Sequence, residues 1–306
     1  MEALAARYPG LASFPHVDLG VRPTPVEEHR IDGLRILVKR DDLSAPGYGG
    51  NKVRALEFLL ARPARRVLTI STAGAHHAYA TARYAATLGL ETTAVLVRQG
   101  PRGPTRDALE ALGTKCVEVN GPVGAAVALA RRWRPGTLFV PPGGMTAHGA
   151  LGYLVAALEF DPVPERIYVP LGTGTTVSGL LAGLMLRRAR CEVVGVRVAD
   201  AIAGWPVLLW RRAFGALALV RGHHTSLPGV RPRDVRLRVI AATGEYGEAT
   251  PEAVAAVKAA RPLVLEPTYT GKALAVLLSE RDDGAGFLHT YGTVAPDEAA
   301  GIPESR

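Results

Sequence analysis

Arg166-Ile167-Tyr168-Val169-Pro170-Leu171-Gly172-Thr173-Gly174-Thr175-Thr176 passes from an apolar run into a glycine turn, and residues 177–189 then take up a helical pattern. A compact apolar run, a small-residue turn and a helix are the ingredients of a parallel βαβ unit. The same succession surrounds this stretch on both sides. Upstream, 34–39 reads as a strand and Lys52 opens a helix carrying Val53, Leu56, Leu59 and Leu60 at near-3.6 spacing. Val67–Ile70, Thr92–Val97 and Cys116–Val119 read as strands. The stretches between them read as an alanine-rich helix stopped by Gly89, a helix over 104–112 and a helix over 123–133. A helix at 150–159 precedes the quoted stretch. Glu192–Val198, Leu237–Ala241 and 286–290 follow as strands, with helices at 250–260 and 270–280. Residues 200–235, with Trp205-Pro206, His223-His224 and Pro228, read as irregular. The fold class is α/β with two parallel-sheet lobes and a cleft between them, where open sheets of this kind bind ligands.

With 306 residues the chain is long enough for two lobes. The formal charge of +8 raises the question of nucleic acid, but the basic residues are scattered and only Lys39, Lys52, Lys115, Lys258 and Lys272 are lysines. Pairs such as Arg131-Arg132, Arg187-Arg188, Arg65-Arg66 and Arg211-Arg212 sit near expected helix ends, where cations offset the dipole. This is compositional bias rather than a nucleic-acid footprint. Cys116 and Cys191 lack a CxxC partner and fit a reduced, cytoplasmic compartment. The opening residues show no signal-peptide pattern, no apolar run is long enough to span a bilayer, and no membrane association is expected. Paired histidines 76-77 and 223-224 have no Cys, Asp or Glu at ligand spacing, so no metal is expected.

Two constellations carry chemistry. Lys39-Arg40-Asp41-Asp42-Leu43 is followed by Gly49-Gly50-Asn51-Lys52-Val53-Arg54. A lysine in the first turn of a helix meets the positive end of the dipole, and that field with burial favours a neutral, nucleophilic amine. The plain alternative is a surface lysine. The second is Gly172-Thr173-Gly174-Thr175-Thr176, whose amides and hydroxyls at a helix start can cradle a phosphate. No Gly-Lys-Ser/Thr follows, and Val177 stands where a dinucleotide fingerprint has its third glycine. A phosphorylated cofactor fits; a simple strand–helix turn is the alternative.

Taken in order, these motifs resemble the pyridoxal-phosphate enzymes of fold type II, the tryptophan-synthase-β-like group. More narrowly, the chain resembles the D-cysteine desulfhydrase / 1-aminocyclopropane-1-carboxylate (ACC) deaminase branch. The resemblance spans residues 14–292 and takes in Pro23-Thr24-Pro25, Pro142-Gly143-Gly144, Gly149–Tyr153, Tyr269–Leu274 and Phe287–Thr290. It implies pyridoxal 5′-phosphate as cofactor, held between a smaller lobe (46–154) and a larger one (1–45 with 155–306). Lys52 resembles the lysine that bonds the cofactor as a Schiff base and later moves the substrate α-proton. Asn51 and Gly172 to Thr176 resemble its binding residues, and Thr290 would face the pyridine nitrogen. A hydroxyl there does not hold that nitrogen protonated, which suits expulsion of a β leaving group. Tyr246 and Tyr269 resemble the two active-site tyrosines.

ACC deaminases place glutamate after the second tyrosine, whereas this chain has Thr270, as the desulfhydrases do. The implied activity is α,β-elimination from a small amino acid, giving ammonia and a 2-oxo acid, with sulfide if the substrate is cysteine. ACC ring opening, β-replacement and cofactor binding without turnover are the alternatives. A homodimer is implied as well.

One loop departs from the pattern. Where the branch reads Gln-Ser-Asn-His, this chain has Gly74-Ala75-His76-His77. His77 matches; Ala75 removes a hydroxyl that meets substrate, and His76 replaces an amide that meets the cofactor's phenolic oxygen. Met145-Thr146 and Tyr291-Gly292 replace Ser-Asn and Gly-Gly further on. Three readings remain: His76 is an acid/base or cofactor contact, the substrate has changed, or turnover has been lost. Ala75, His76 and His77 are the expected substrate-side residues.

Overall fold

A computed structural model describes residues 2–72, 76–98, 104–198, 204–224 and 227–292. Two sheets organise the chain. The larger has six strands: β1 (Val26–Ile31), β2 (Leu34–Arg40), β7 (Arg166–Leu171), β8 (Cys191–Arg197), β9 (Val235–Ala241) and β10 (Gly286–His289). Their order is β1-β2-β10-β7-β8-β9. All neighbours are parallel except the β1–β2 hairpin at one edge. The smaller sheet, β5 (Lys115–Val119), β4 (Glu91–Val97), β3 (Arg66–Thr72) and β6 (Thr137–Val140), is wholly parallel.

Side-chain alternation decides what each face meets. In β7, Ile167, Val169 and Leu171 join the core beneath α6 (Ala147–Glu159), α7 (Thr175–Arg187) and α8 (Pro206–His223). Tyr168 points the other way, with Val194, Val196 and Phe287, toward α9 (Pro251–Ala259) and α10 (Thr270–Ser279). The smaller sheet is covered by α2 (Lys52–Leu59), α3 (His76–Thr87) and α4 (Pro104–Ala111) on one side and by α5 (Gly121–Arg132) on the other. A further short helix, α1 (Glu2–Arg7), adds Leu4 to the larger core.

Helices α6 and α7 pack closely because glycines line the contact: a Cβ on Gly179 would fall 2.3 Å from the Ala150 carbonyl oxygen, and one on Gly183 2.4 Å from that of Leu154. Gly152 does the same for α2, where a Cβ would lie 2.0 Å from the carbonyl oxygen of Arg54. No helix among the described residues is long and apolar enough to cross a membrane.

The strands and helices read from sequence are present within a few residues, with one correction. Residues 206–223 are not irregular but form the 18-residue helix α8. Pro206 occupies its first turn, where no N–H is needed. Consequently Arg211-Arg212 lies inside a helix, and Arg65-Arg66 leads into a strand, so neither pair caps a helix end.

Candidate active site

Beneath Lys52 lies a fully buried ion cluster that fixes the start of α2. Arg54 donates to Asp41 through Nε (2.7 Å) and Nη2 (2.7 Å), and to Glu159 through Nη1 (2.9 Å) and Nη2 (2.6 Å). Lys39 pairs with Glu159 at 2.7 Å and donates to the Thr24 carbonyl. Two cations and two carboxylates are thereby neutralised in the dry interior, and α2 is tied to β2, α6 and the loop holding Thr24. Lys39-Arg40-Asp41-Asp42 and Asn51–Arg54 are thus one structural unit. The candidate lysine, Lys52, belongs to this unit, and its neighbours include Ala55, Leu56, Leu59, His77, Gly143 and Gly144. Burial lowers the Lys52 pKa from the usual lysine value; the Glu266 carboxylate opposes this only in part. Burial thus works toward the neutral form, in the same direction as the helix-start position.

Gly172–Thr176 closes β7 and begins α7. Gly174, the residue before the helix, is left-handed at φ 80°, a conformation open to glycine. It turns the chain so that the amides of a 13-residue helix face outward from its N-terminus. Thr173 and Thr175 bring their hydroxyls within 3.2 Å of each other. Gly143, also left-handed, closes against them, since a Cβ there would lie 2.2 Å from Thr173 Oγ1. Behind the loop, Arg212 on α8 donates to the Thr173 carbonyl at 3.2 Å and to Ser178 Oγ at 3.3 Å.

The two constellations meet. Asn51 Nδ2 donates to Thr176 Oγ1 at 3.0 Å, and the Asn51 amide donates to the Thr290 carbonyl at 3.1 Å. Gly50 makes the approach possible: a Cβ on it would fall 3.1 Å from the Thr290 carbonyl oxygen and 2.9 Å from the Gly292 nitrogen. On the other side, the Tyr269 ring lies against the cradle, 3.3 Å from where a Gly172 Cβ would be. The Tyr269 hydroxyl donates to that of Tyr246 at 2.7 Å. Burial, then Tyr246, raise the Tyr269 pKa, so it keeps its proton at neutral pH.

Three residues not singled out from sequence hold this arrangement. Glu266 accepts from the amides of Thr268 (2.7 Å), Tyr269 (2.8 Å) and Thr270 (2.6 Å), and from the Thr270 hydroxyl at 2.9 Å. It therefore caps α10 and fixes Tyr269. Lys272, one turn beyond Tyr269, is buried and donates to the Glu245 carbonyl at 2.8 Å, holding the loop that carries Tyr246. Tyr48, in the glycine loop, meets His76 Nδ1 at 2.9 Å. The Glu266 and Lys272 signals were legible in principle, as an acid just before a helix start and a lysine one turn after a tyrosine. Tyr48 had no such signal.

His76 opens α3, and burial and the Lys52 charge push its pKa down to about 4. His77 turns inward: it is buried, with Nε2 3.4 Å from Thr69 Oγ1, and the same two causes bring its pKa to about 3. Ala75 lies outside the described residues.

A phosphorylated cofactor with an aldehyde fits these groups: a glycine-lined amide cradle with paired hydroxyls stands beside a half-buried lysine of lowered pKa. Such a fold and site define a pyridoxal-phosphate enzyme of fold type II. The chain belongs to the pyridoxal-phosphate-dependent enzyme family, whose sequence profile matches residues 17–287, and its cofactor is pyridoxal 5′-phosphate. It is 33% identical over 322 residues to nocardicin C-9′ epimerase of Nocardia uniformis subsp. tsuyamanensis, covering 95% of this chain and 97% of that protein. It is 32% identical over 329 residues to D-cysteine desulfhydrase of Yersinia enterocolitica, covering 93% and 96%. The crystal structure of an ACC deaminase homologue superposes with a TM-score of 0.80 at 28% identity, covering 94% of both chains. The sequence resemblance to the desulfhydrase and deaminase branch is thus borne out.

Proposed function

We propose that this enzyme is a lyase that carries out α,β-elimination on a small amino acid, in the manner of a D-cysteine desulfhydrase. The observation that carries this reading is the Tyr269–Tyr246 hydroxyl pair, held by Glu266 and Lys272 against the cradle that Asn51 links to the Lys52 loop. Similarity to the desulfhydrase over nearly the whole chain supports it. Pyridoxal phosphate supplies an electron-withdrawing ring that makes the substrate Cα–H acidic. Gly172, Thr173, Gly174, Thr175 and Thr176 would bind its phosphate, with Asn51 and Thr290 on its flank. Lys52, whose pKa burial lowers, would bond the cofactor and take the α-proton. In the Tyr269–Tyr246 pair, Tyr269 keeps its proton and donates to Tyr246, whose own hydroxyl proton would pass to the leaving group. Breaking Cα–H and the bond from Cβ to the leaving group yields a 2-oxo acid and ammonia after hydrolysis, with sulfide if that group is a thiol. His76 and His77 belong to the substrate side in this reading, together with Ala75.

The division into lobes 46–154 and 1–45 with 155–306, with the cofactor between them, is part of the proposal. The strand membership of the two sheets supports it. A homodimer is carried with it from the resemblance, and a cytoplasmic location from the two free cysteines.

A second reading, epimerisation at Cα, is favoured by the epimerase relative. Both reactions begin with loss of the same proton; they differ in whether a β substituent leaves or a proton returns to the opposite face. One experiment separates them. The cofactor-loaded protein is incubated with D- and L-cysteine, serine, β-chloroalanine and ACC, and 2-oxo acid is measured beside the enantiomeric ratio. Elimination predicts 2-oxo acid formation, abolished in Lys52→Ala. Enantiomer exchange without 2-oxo acid establishes epimerisation instead. A cofactor spectrum that no amino acid changes establishes binding without turnover. A protein that takes up no pyridoxal phosphate refutes all three.

A further inference from the structure

His76 stands where the resembled branch has an amide, and its surroundings determine what it can do there. The Tyr48 ring is buried at 2% exposure and packs edge-on against Tyr79, with centroids 4.9 Å apart. Its backbone carbonyl accepts from the Tyr84 hydroxyl. Neither ring nor backbone is free to turn. Burial, foremost, raises the Tyr48 pKa well above its ordinary value, so the phenol keeps its proton. Two acceptors of His76 lie near that O–H: Nδ1 at 2.9 Å and the backbone carbonyl at 3.5 Å. The nearer has hydrogen-bond geometry, whereas 3.5 Å is at the limit. If Nδ1 carried a proton, the buried Tyr48 hydroxyl would be left with the poorer acceptor, at a cost that buried polar groups avoid. Nδ1 is therefore the acceptor and Nε2 the protonated nitrogen. The far side of the imidazole faces Tyr291, with ring centroids 6.0 Å apart. An imidazolium here would be largely cut off from solvent, and burial pushes the His76 pKa down to about 4, so the ring stays neutral.

We propose that Tyr48 is a positioning residue that locks His76 in the Nε2–H tautomer, making it a one-way, uncharged hydrogen-bond donor to an anionic oxygen bound beside Lys52. This rests on the reading of Lys52 as the cofactor lysine. An imidazole so locked does what an amide N–H does, donating without accepting through Nε2. The histidine thus substitutes for the amide's donor function, and Tyr48 supplies the fixed orientation that an amide has by itself. The anionic oxygen comes either from the cofactor's phenol or from a substrate carboxylate.

The tautomer is measured without cofactor, by ¹⁵N–¹H spectra of ring-labelled histidine in the apo protein, with His76→Asn identifying the resonance. The expected result is an unprotonated Nδ1 and a protonated Nε2 in the wild type, and mixed tautomers in Tyr48→Phe. A wild-type ring protonated at Nδ1, or a tautomer unmoved in Tyr48→Phe, overturns the proposal. The donor role is then read in the protein loaded with pyridoxal phosphate, using D-alanine as the amino-acid probe. His76→Ala is expected to weaken the relevant interaction about ten-fold or more, and His76→Asn to restore it. A displaced visible band without D-alanine assigns the cofactor oxygen; an unchanged band with weaker D-alanine affinity assigns the carboxylate. Tyr48→Phe must reproduce part of the effect and be silent in the His76→Asn background. An equal effect in both backgrounds means that Tyr48 acts only through the fold and overturns the proposal. Lys52→Ala separates the failures: if it binds pyridoxal phosphate like the wild type, the lysine assignment fails while the tautomer result stands.

Discussion

Replacing Arg54 with methionine removes a guanidinium that makes five hydrogen bonds, two to Asp41, two to Glu159 and one to Thr24 Oγ1. Methionine fills much of the same space, so the electrostatic loss dominates. In the native cluster Lys39 and Arg54 balance Asp41 and Glu159, and all four side chains are inaccessible. The variant leaves one carboxylate without a cation. Uncompensated buried charge of this kind costs about 3–5 kcal/mol. At about 2 °C per kcal/mol for a protein of this size, the melting temperature falls by roughly 6–10 °C.

The loss also has a pH signature. Arg54 and Lys39 together overcome burial and hold the Glu159 carboxyl well below the usual carboxylate range. Without Arg54 the burial effect prevails, and a carboxyl in the folded variant takes up a proton at higher pH than in the unfolded chain. The variant therefore gains stability as pH falls from about 7 to 5, and its deficit against the wild type narrows. Equilibrium urea unfolding of the cofactor-free protein, followed by circular dichroism at both pH values, measures this. Arg54→Met with Asp41→Asn should recover part of the loss by removing the stranded charge. A deficit below about 1 kcal/mol, or one unchanged between the two pH values, refutes the reasoning, because buried charge is what the magnitude rests on.

Gly174→Ala forces an L side chain into the left-handed region at φ 80°. At a cost of about 1–2 kcal/mol, pyridoxal phosphate affinity, measured by fluorescence titration, should fall by about ten-fold. Lys272→Met frees the Glu245 carbonyl from its anchor. The cofactor spectrum should persist while kcat drops by roughly 10- to 100-fold, within the range of misplaced acid–base groups; a kcat within two-fold of wild type counts against a positioning role. The buried histidines give an acid-side dependence. His76 and His77 have folded pKa values pushed down to about 4 and about 3 from 6.5. Their contribution is complete above pH 6.5 and is lost progressively as pH falls from 6.5 toward the folded values, about 2 kcal/mol each by pH 5. His77→Gln should flatten that slope in urea unfolding of the cofactor-free protein.

The alternation of strand and helix was legible because each glycine turn is short and each buried strand is continuous in apolar residues, as in Ile167–Leu171. Helix α8 was not, because Pro206 and the His223-His224 pair look like breakers in isolation, yet a first-turn proline removes an N–H that a helix start never uses. The edge strand Val26–Ile31 was missed because Glu27, Glu28, His29 and Arg30 give it almost no apolar signature. Within the candidate site, Lys52, the cradle and the tyrosine pair stand out in the sequence because each sits in an ordered motif. The ion cluster could not, because Glu159 lies 105 residues from Arg54 and only the packing of α2 on α6 brings them together. Tyr48 and His76 are likewise 28 residues apart, joined across a glycine loop whose path no spacing rule describes.

The position of β10 bears on how the protein is made. This strand is among the last elements described, yet it lies between β2 and β7, paired through Phe287 with Val38 and through Gly286 with Ile167. During translation the β1–β2 hairpin emerges early and has no parallel neighbour to join until residues 286–289 leave the ribosome. The amide of Asn51, beside Lys52, likewise waits for the carbonyl of Thr290. A nascent chain stalled before residue 286 should therefore form the four-stranded sheet, whose strands all lie within 66–140, while the loop carrying Lys52 remains unplaced. The loop beside Lys52 therefore closes only once residues 286–290 are available to pair with it.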